Sequence, residues 1–181
     1  TIGSGNVANG YMALRDNTTG SSNVANGHSA LCSNTTGSYN VANGHSAGQF
    51  ISGGSVTNTT PSNSIYLGAL TKASADRNTN EIVIGCDTTG MGSNTAILGN
   101  SGITRTYLRG QVLIGTTTSD GVNNLQVNGT IASKGYKLSA LNTAPASAAA
   151  AGTLGEISVT EDAIYICTAT NTWKKVAIAT W

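Results

Sequence analysis

The sequence predicts an all-β, fibrous protein: a β-solenoid or β-prism shaft, completed by further copies of the same chain, with a small antiparallel β-meander at its end. Two observations support this fold class. A block of seventeen residues is written nearly three times between Gly3 and Phe50, and short apolar strands closed by glycine recur after it. Repeats at a fixed short period are typical of stacked arrays in which each copy supplies part of its neighbour's core.

The composition favours a thin core shared between chains. Of 181 residues, 9% are charged and 5% are aromatic, 23 are glycine, and the net charge is +1. Disorder would require a high net charge, so a disordered chain is not expected. Binding to nucleic acid or to an anionic membrane would require a basic cluster, so neither partner is expected. No stretch has the length of a transmembrane helix, and the start at Thr1 without Met predicts a trimmed or partial chain.

Each repeat contains the strand Val-Ala-Asn followed by glycine. Alternation along a strand places Val and Asn on one face and Ala on the other, and the glycine suits a tight corner. We expect the Val face to point toward an axis shared by the chains, with the Asn amides pairing from one repeat to the next as a polar ladder, at roughly 4.8 Å. The alternative is a core of Ala8, Ala25 and Ala42, with the Asn side chains in solvent. The predicted inward residues of the repeats are Val7, Val24 and Val41, and the predicted ladder is Asn9, Asn26 and Asn43.

The spacing of strands and turns predicts five segments. Residues 1–53 form a β-roll of the seventeen-residue repeats, and residues 54–64, where Pro61 interrupts the pattern, form a joint. Residues 65–140 carry stronger apolar strands at shortening intervals and are predicted to form an interwoven β shaft. A linker at 141–152 rich in Pro and Ala precedes a terminal module at 153–181. The predicted core of the shaft is Ile65, Leu67, Ile82, Ile84, Leu98 and Leu113.

The terminal module reads as three strands, from Gly155 to Val159, Ala163 to Thr168 and Trp173 to Ala179. Such a meander is too small to stand alone, so we expect it to close the end of an oligomer. It concentrates exposed aromatic area beside lysines, which suits a sugar or a protein receptor; packing inside the assembly is the alternative. The candidate receptor contacts are Tyr165, Trp173, Lys174 and Trp181.

Three stretches resemble known families. The run GITRTYLRGQVLIGTTTSDGVNNLQVNGTIASKGY resembles the shaft of bacteriophage tail fibres, and YICTATNTWKKVAIATW resembles a terminal module of phage structural proteins. The NTTG-x-x-NVANG repeats are similar to the head repeats of trimeric autotransporter adhesins, although those usually carry an aliphatic residue where Asn9, Asn26 and Asn43 stand. The resemblance implies a homotrimer on a virion that contacts other tail proteins and a glycan or protein on the host surface. A cellular adhesin or secreted filament, on the cell surface, is the alternative owner.

No catalytic, metal or cofactor site is expected. His28 and His45 share one repeat position but lack a second kind of ligand, and Cys32, Cys86 and Cys167 have no metal-site spacing. The carboxylates lie at turns and strand ends without a partner suited to catalysis, so the sequence predicts a protein that is not an enzyme. A capsule depolymerase, with carboxylates placed between subunits, is the second alternative.

Overall fold

The computed structural model describes residues 3–115, 125–128, 130–131 and 141–179. The chain divides into two compact units, residues 1–108 and 109–181. The described residues form eleven strands and no helix, so no helix in this part of the chain could cross a membrane. The predicted all-β class is confirmed. The strands are β1 (Val7–Asn9), β2 (Val24–Asn26), β3 (Val41–Asn43), β4 (Ile65–Leu67), β5 (Ile82–Ile84), β6 (Ala96–Leu98), β7 (Val112–Ile114), β8 (Leu125–Val127), β9 (Ile157–Val159), β10 (Ala163–Ala169) and β11 (Thr172–Ala177).

The first unit is a β-solenoid. Its six strands pair in the order β1-β2-β3-β4-β5-β6, and every pair is parallel. Equivalent residues of successive repeats lie side by side, so that Val7 pairs with Val24 and Val24 with Val41. Parallel strands that follow one another in both sequence and space require the chain to make one coil between each pair, and this confirms the solenoid predicted from the repeats.

A glycine ends each of the first five solenoid strands. These glycines have φ between +121° and +138°, which L side chains rarely adopt. A Cβ at Gly44 would also lie 2.6 Å from the carbonyl carbon of Gly68 in the next turn. The corner therefore requires glycine for both its backbone conformation and the close approach of neighbouring turns.

The solenoid interior is filled by the middle residues of β2 to β6, whereas Ala8, the middle residue of β1, is exposed. Ala25, Ala42, Tyr66 and Val83 are fully buried, and Ile97 packs against the same cluster. Within one chain, the Ala alternative is therefore the observed arrangement at Ala25 and Ala42 but not at Ala8, and the Val and Asn side chains lie on the outer face of the sheet. The physical reason is that each chain coils around an interior of its own, where alanine fits between closely stacked turns and leaves no polar group to satisfy.

A polar ladder does cross the solenoid, at the residue that precedes each strand. Asn23 is fully buried; its Nδ2 donates to Asn6 Oδ1 at 3.2 Å, and its Oδ1 accepts from Asn40 Nδ2 at 2.9 Å. The backbone N–H of Ser64 then donates to Asn40 Oδ1 at 3.0 Å, and that of Glu81 donates to Ser64 Oγ at 3.2 Å. The ladder joins five successive turns through side chains in addition to the sheet hydrogen bonds.

The structure therefore forms its ladder at Asn6, Asn23 and Asn40, and not at the predicted Asn9, Asn26 and Asn43. The latter three amides lie on the outer face, half-buried or exposed, and within the described residues no hydrogen bond joins their side chains. A buried amide must find a partner, whereas an amide on the outer face can bond to water. The stacking principle behind the prediction applies, but to the Asn three residues earlier in each repeat.

The predicted joint does not interrupt the sheet. Strand β3 pairs with β4 in register across it, although their first residues, Val41 and Ile65, are 24 positions apart where earlier repeats are 17 apart. The additional residues fold out as a small loop: Phe50 bridges Thr57 in antiparallel fashion, and the N–H of Ile51 donates to Val56 O at 2.9 Å. The predicted joint is therefore one more turn of the solenoid, lengthened by a short inserted loop.

The second unit contains two small sheets. Strands β7 and β8 form a parallel pair, and β9, β10 and β11 form an antiparallel sheet in the order β11-β10-β9. Residues predicted as a linker pack against the antiparallel sheet: the N–H of Trp173 donates to Ala148 O at 2.8 Å, and Ser158 Oγ donates to Thr143 O at 3.0 Å. A small antiparallel sheet is present as predicted, and its place at the tip of a fibre stays a prediction.

Candidate functional site

The outer face of the solenoid sheet is covered by two columns of side chains. The first is apolar throughout, and the second changes from asparagine in β1–β3 to aliphatic residues in β4–β6. Within one chain these side chains are exposed or half-buried: the exposure is 52% for Val7, 38% for Val41 and 58% for Leu98, and the outer residues of β2, β4 and β5 are half-buried. These are the residues predicted to form the trimer core, and their contact with other chains stays a prediction. The predicted core residues in the two columns are Val7, Val24, Val41, Ile65 and Ile82, and Leu67, Ile84 and Leu98; Leu113 lies half-buried in the second unit.

A cavity in the second unit brings together three of the four predicted receptor contacts. It has a volume of about 300 Å³ and opens between the 145–148 segment and the strands β10 and β11. Tyr165, Trp173, Lys174 and Lys175 line it. Trp181, the fourth predicted contact, lies outside the described residues.

Trp173 forms the buried base of this region. It is 7% exposed, its indole Nε1 donates to Ala150 O at 3.2 Å, and its ring packs so closely on Gly152 that a Cβ there would lie 2.6 Å from it. A ring held in this way on its own chain offers little free face to a receptor. Packing was the alternative expected for Trp173, and it is the role observed here, within the chain itself.

Strand pairing separates the two lysines. Tyr165 lies opposite Lys175 and Cys167 opposite Trp173, so Tyr165, Trp173 and Lys175 share one face of the sheet. Lys174 pairs with Ile166, and alternation directs its side chain to the opposite face. Among the described residues, neither lysine forms an ion pair. Lys175 is therefore the cation on the face of Tyr165. Pairing the residues on the two sides of the turn at Asn171 could have identified it from the sequence.

A second cavity, of about 390 Å³, shares Tyr165 with the first. Its lining includes Leu141, Asn142, Glu161 and Asp162. Neither of these carboxylates forms an ion pair with another described residue. Tyr165 thus belongs to the lining of both cavities, one that also includes lysines and one that also includes carboxylates.

The histidine position of the repeats forms a stack of rings on the solenoid surface. The ring centroids of His28 and His45 are 5.0 Å apart with an interplanar angle of 10°, and Tyr11 lies 5.2 Å from His28. Ser29 Oγ lies 3.0 Å from His28 Nδ1. The described residues hold no group of three or more His, Cys, Asp or Glu side chains that could bind a metal ion.

Several solenoid carboxylates hold turns together. Asp76 accepts hydrogen bonds from the backbone N–H groups of Thr59 and Thr60 at 2.8 and 2.9 Å and from both hydroxyls. Burial alone would raise the pKa of Asp76, but these hydrogen bonds outweigh it and lower that pKa below its ordinary value. Glu81 is fully buried and accepts from the N–H of Gly92 at 2.9 Å. Asp87 pairs with Lys72.

Part of the chain is similar in sequence to a phage protein. An 86-residue stretch is 36% identical to a depolymerase of Klebsiella phage K64-1 that is specific for capsule K30/K69. The match covers 44% of this chain but 11% of that relative, so the chain spans about a tenth of the relative's length. No family model and no solved structure matches the chain.

This match corrects one prediction. The sequence was expected to belong to a protein that is not an enzyme, and the expectation is contradicted because a depolymerase is an enzyme. The prediction rested on the absence of a recognisable catalytic group in the sequence, which is a weak basis when catalytic carboxylates can be contributed from separate parts of a longer chain or from neighbouring chains. The match and the β-solenoid together agree with the general resemblance to phage fibres.

Proposed function

We propose that the chain is part of a homotrimeric tail fibre or spike of a phage virion, which attaches to the capsular polysaccharide of the host and depolymerises it. The observation that carries the proposal is the similarity to the capsule depolymerase of Klebsiella phage K64-1. The solenoid supports it, because an elongated stack of repeats suits a protein that must reach a surface. The cavities beside Tyr165 support contact with a sugar polymer.

The trimer is supported by the outer face of the solenoid. In β4–β6 both outer columns are aliphatic; their residues in β4 and β5 are half-buried within one chain, and Leu98 is 58% exposed. An apolar face that one chain leaves partly uncovered favours burial against another surface. Three identical chains around one axis would cover these columns in the same way in every subunit.

The activity is tested by incubating the purified protein with a panel of bacterial capsular polysaccharides that includes types K30 and K69. We expect the molar mass of one polymer to fall, as measured by light scattering after gel filtration, with new reducing ends appearing. Binding without cleavage would contradict the depolymerase proposal and leave an attachment role. Neither binding nor cleavage would overturn both, and recovery of the chain in cell-bound filaments without capsids would support the adhesin.

The trimer is tested by a matched pair of charged substitutions in β5. Ile84→Glu places a carboxylate on the outer face, so we expect sedimentation to change from trimer to folded monomer. Val83→Glu places the same charge in the fully buried interior of one chain and is expected to unfold the solenoid. A trimer that persists in Ile84→Glu would place the subunit contact on another face.

A further inference from the structure

We propose that the cavity beside Tyr165 and Lys175 binds an acidic sugar unit, one that carries a carboxylate, within the polymer chain. The inference rests on the proposed function and adds the chemical class of the saccharide to it. It depends on the charge, the ring and the size of this cavity, and on the different chemistry of the cavity next to it.

The charge of the cavity favours an anion. Lys174 and Lys175 line it, with the Lys175 side chain on the face of Tyr165 and the Lys174 side chain directed to the opposite face, and its described lining residues include no carboxylate. Neither lysine is neutralised by an ion pair with a described residue. A carboxylate placed beside Lys175 would form a charge-assisted hydrogen bond, which is stronger than a bond between neutral groups.

The shape of the cavity favours a sugar ring. A volume of about 300 Å³ is at the lower end for ligand pockets and suits a single ring with its substituents. Tyr165 is half-buried and lines the cavity, so part of its surface is available to pack against the apolar face of a sugar. Pro145 and Ala146 supply a further apolar wall.

The second cavity, lined by Glu161 and Asp162, favours a different sugar unit of the polymer. Glu161 and Asp162 line the second cavity that Tyr165 borders and would repel a carboxylate while accepting hydrogen bonds from hydroxyl groups. A polymer that occupies both cavities would therefore place its acidic unit beside Lys175 and a neutral unit beside Glu161.

The test uses one uronic-acid-containing capsular polysaccharide, taken from those that the protein binds, and the same polymer after its carboxyl groups have been reduced to primary alcohols. We expect the wild-type protein to bind the reduced polymer roughly tenfold more weakly. Lys175→Gln should lose roughly tenfold on the native polymer and almost nothing on the reduced polymer. Arg77→Gln, which removes one positive charge from the solenoid, is the matched control and should bind both polymers as the wild type does.

The outcomes separate the two proposals. Equal binding of native and reduced polymer, or an equal loss in Lys175→Gln and Arg77→Gln, would overturn the acidic site and leave the proposed function standing. Where no polymer binds, a titration of ¹⁵N-tryptophan-labelled protein with sodium glucuronate and with glucose decides. We expect glucuronate alone to shift the indole signal of Trp173, assigned with a Trp181→Phe variant, and an unshifted signal would overturn the site.

Discussion

The solenoid and the antiparallel sheet of the second unit obtain stability in different ways. Solenoid strands are three residues long, and each is stabilised by repetition of the same contacts in the turn before and the turn after. Strands β10 and β11 are seven and six residues long, and their sheet depends on one large side chain, Trp173, packed under the 141–152 segment. The comparison suggests that a defect in the solenoid spreads to its neighbours, whereas a defect at Trp173 stays within its sheet.

The strongest way to break the solenoid is a side chain at a corner. In Gly44→Ala the new Cβ would lie 2.6 Å from the backbone of Gly68, at a φ of +136°. Neither turn can move without disturbing the next, so we expect a loss of more than about 5 kcal/mol in the free energy of unfolding, which removes the cooperative transition. Circular dichroism during thermal unfolding measures this loss.

Gly53→Ala is the control for that substitution. Gly53 also has a positive φ, +86°, but no atom lies within 4 Å of the position that its Cβ would take. We expect a cost of about 1 kcal/mol from backbone strain alone. Similar losses in both variants would mean that close stacking of the turns contributes little to the solenoid.

The matching experiment in the second unit is Trp173→Ala. Removing this ring leaves a cavity above Gly152 and deletes the hydrogen bond to Ala150 O, so we expect a loss of about 3 to 5 kcal/mol. Hydrogen exchange should rise in peptides from 141–179 and stay unchanged in peptides from 3–98. The substitution Val176→Ala, at a side chain that is 64% exposed, is the control and should change exchange very little.

The difference between the units also explains how far the sequence could predict the fold. The repeats give the period, the corner and the strand, because every coil repeats the same geometry. They do not say which face of a three-residue strand is inside: Val7 and Ala8 alternate in the same way whether the chain coils around itself or around a shared axis. The joint is predicted at 54–64 because the spacing loosens there and Pro61 interrupts the pattern, and neither feature shows that the sheet continues past a small loop.

Asn23→Ala tests which asparagines form the ladder. Asn23 accepts from Asn40 and donates to Asn6 and to the carbonyl oxygen of Gly37, so its loss leaves several buried groups without partners. We expect a cost of about 2 to 3 kcal/mol, measured by chemical denaturation. Asn26→Ala, on the outer face, should cost about 0.5 kcal/mol or less. A larger loss in Asn26→Ala than in Asn23→Ala would restore the ladder to the position first predicted.

The candidate site was predictable to a smaller extent than the solenoid. Aromatic and basic residues near the end of the chain indicated where to look, and the cavity does contain Tyr165, Trp173 and Lys174. Their roles depend on the strand register and on the segment that covers the sheet. Local composition predicts neither of these two features. Composition alone therefore leaves receptor contact and packing both open for Trp173, which the structure buries, and does not distinguish Lys174 from Lys175, which shares the face of Tyr165.

The smallest expected effect concerns pH and Asp76 in the solenoid. Its pKa is lower in the folded protein than the ordinary value of 3.8, because hydrogen bonds from Thr59 and Thr60 favour the carboxylate. Its stabilisation is therefore complete well above pH 3.8 and is lost as the pH falls through the folded pKa. Denaturation of Asp76→Asn between pH 5 and pH 3 should show a shallower acid loss than the wild type, whereas Asp162→Asn, in the second unit, should keep the full loss. An unchanged slope in Asp76→Asn would mean that the carboxylate contributes no more than a neutral amide at this turn.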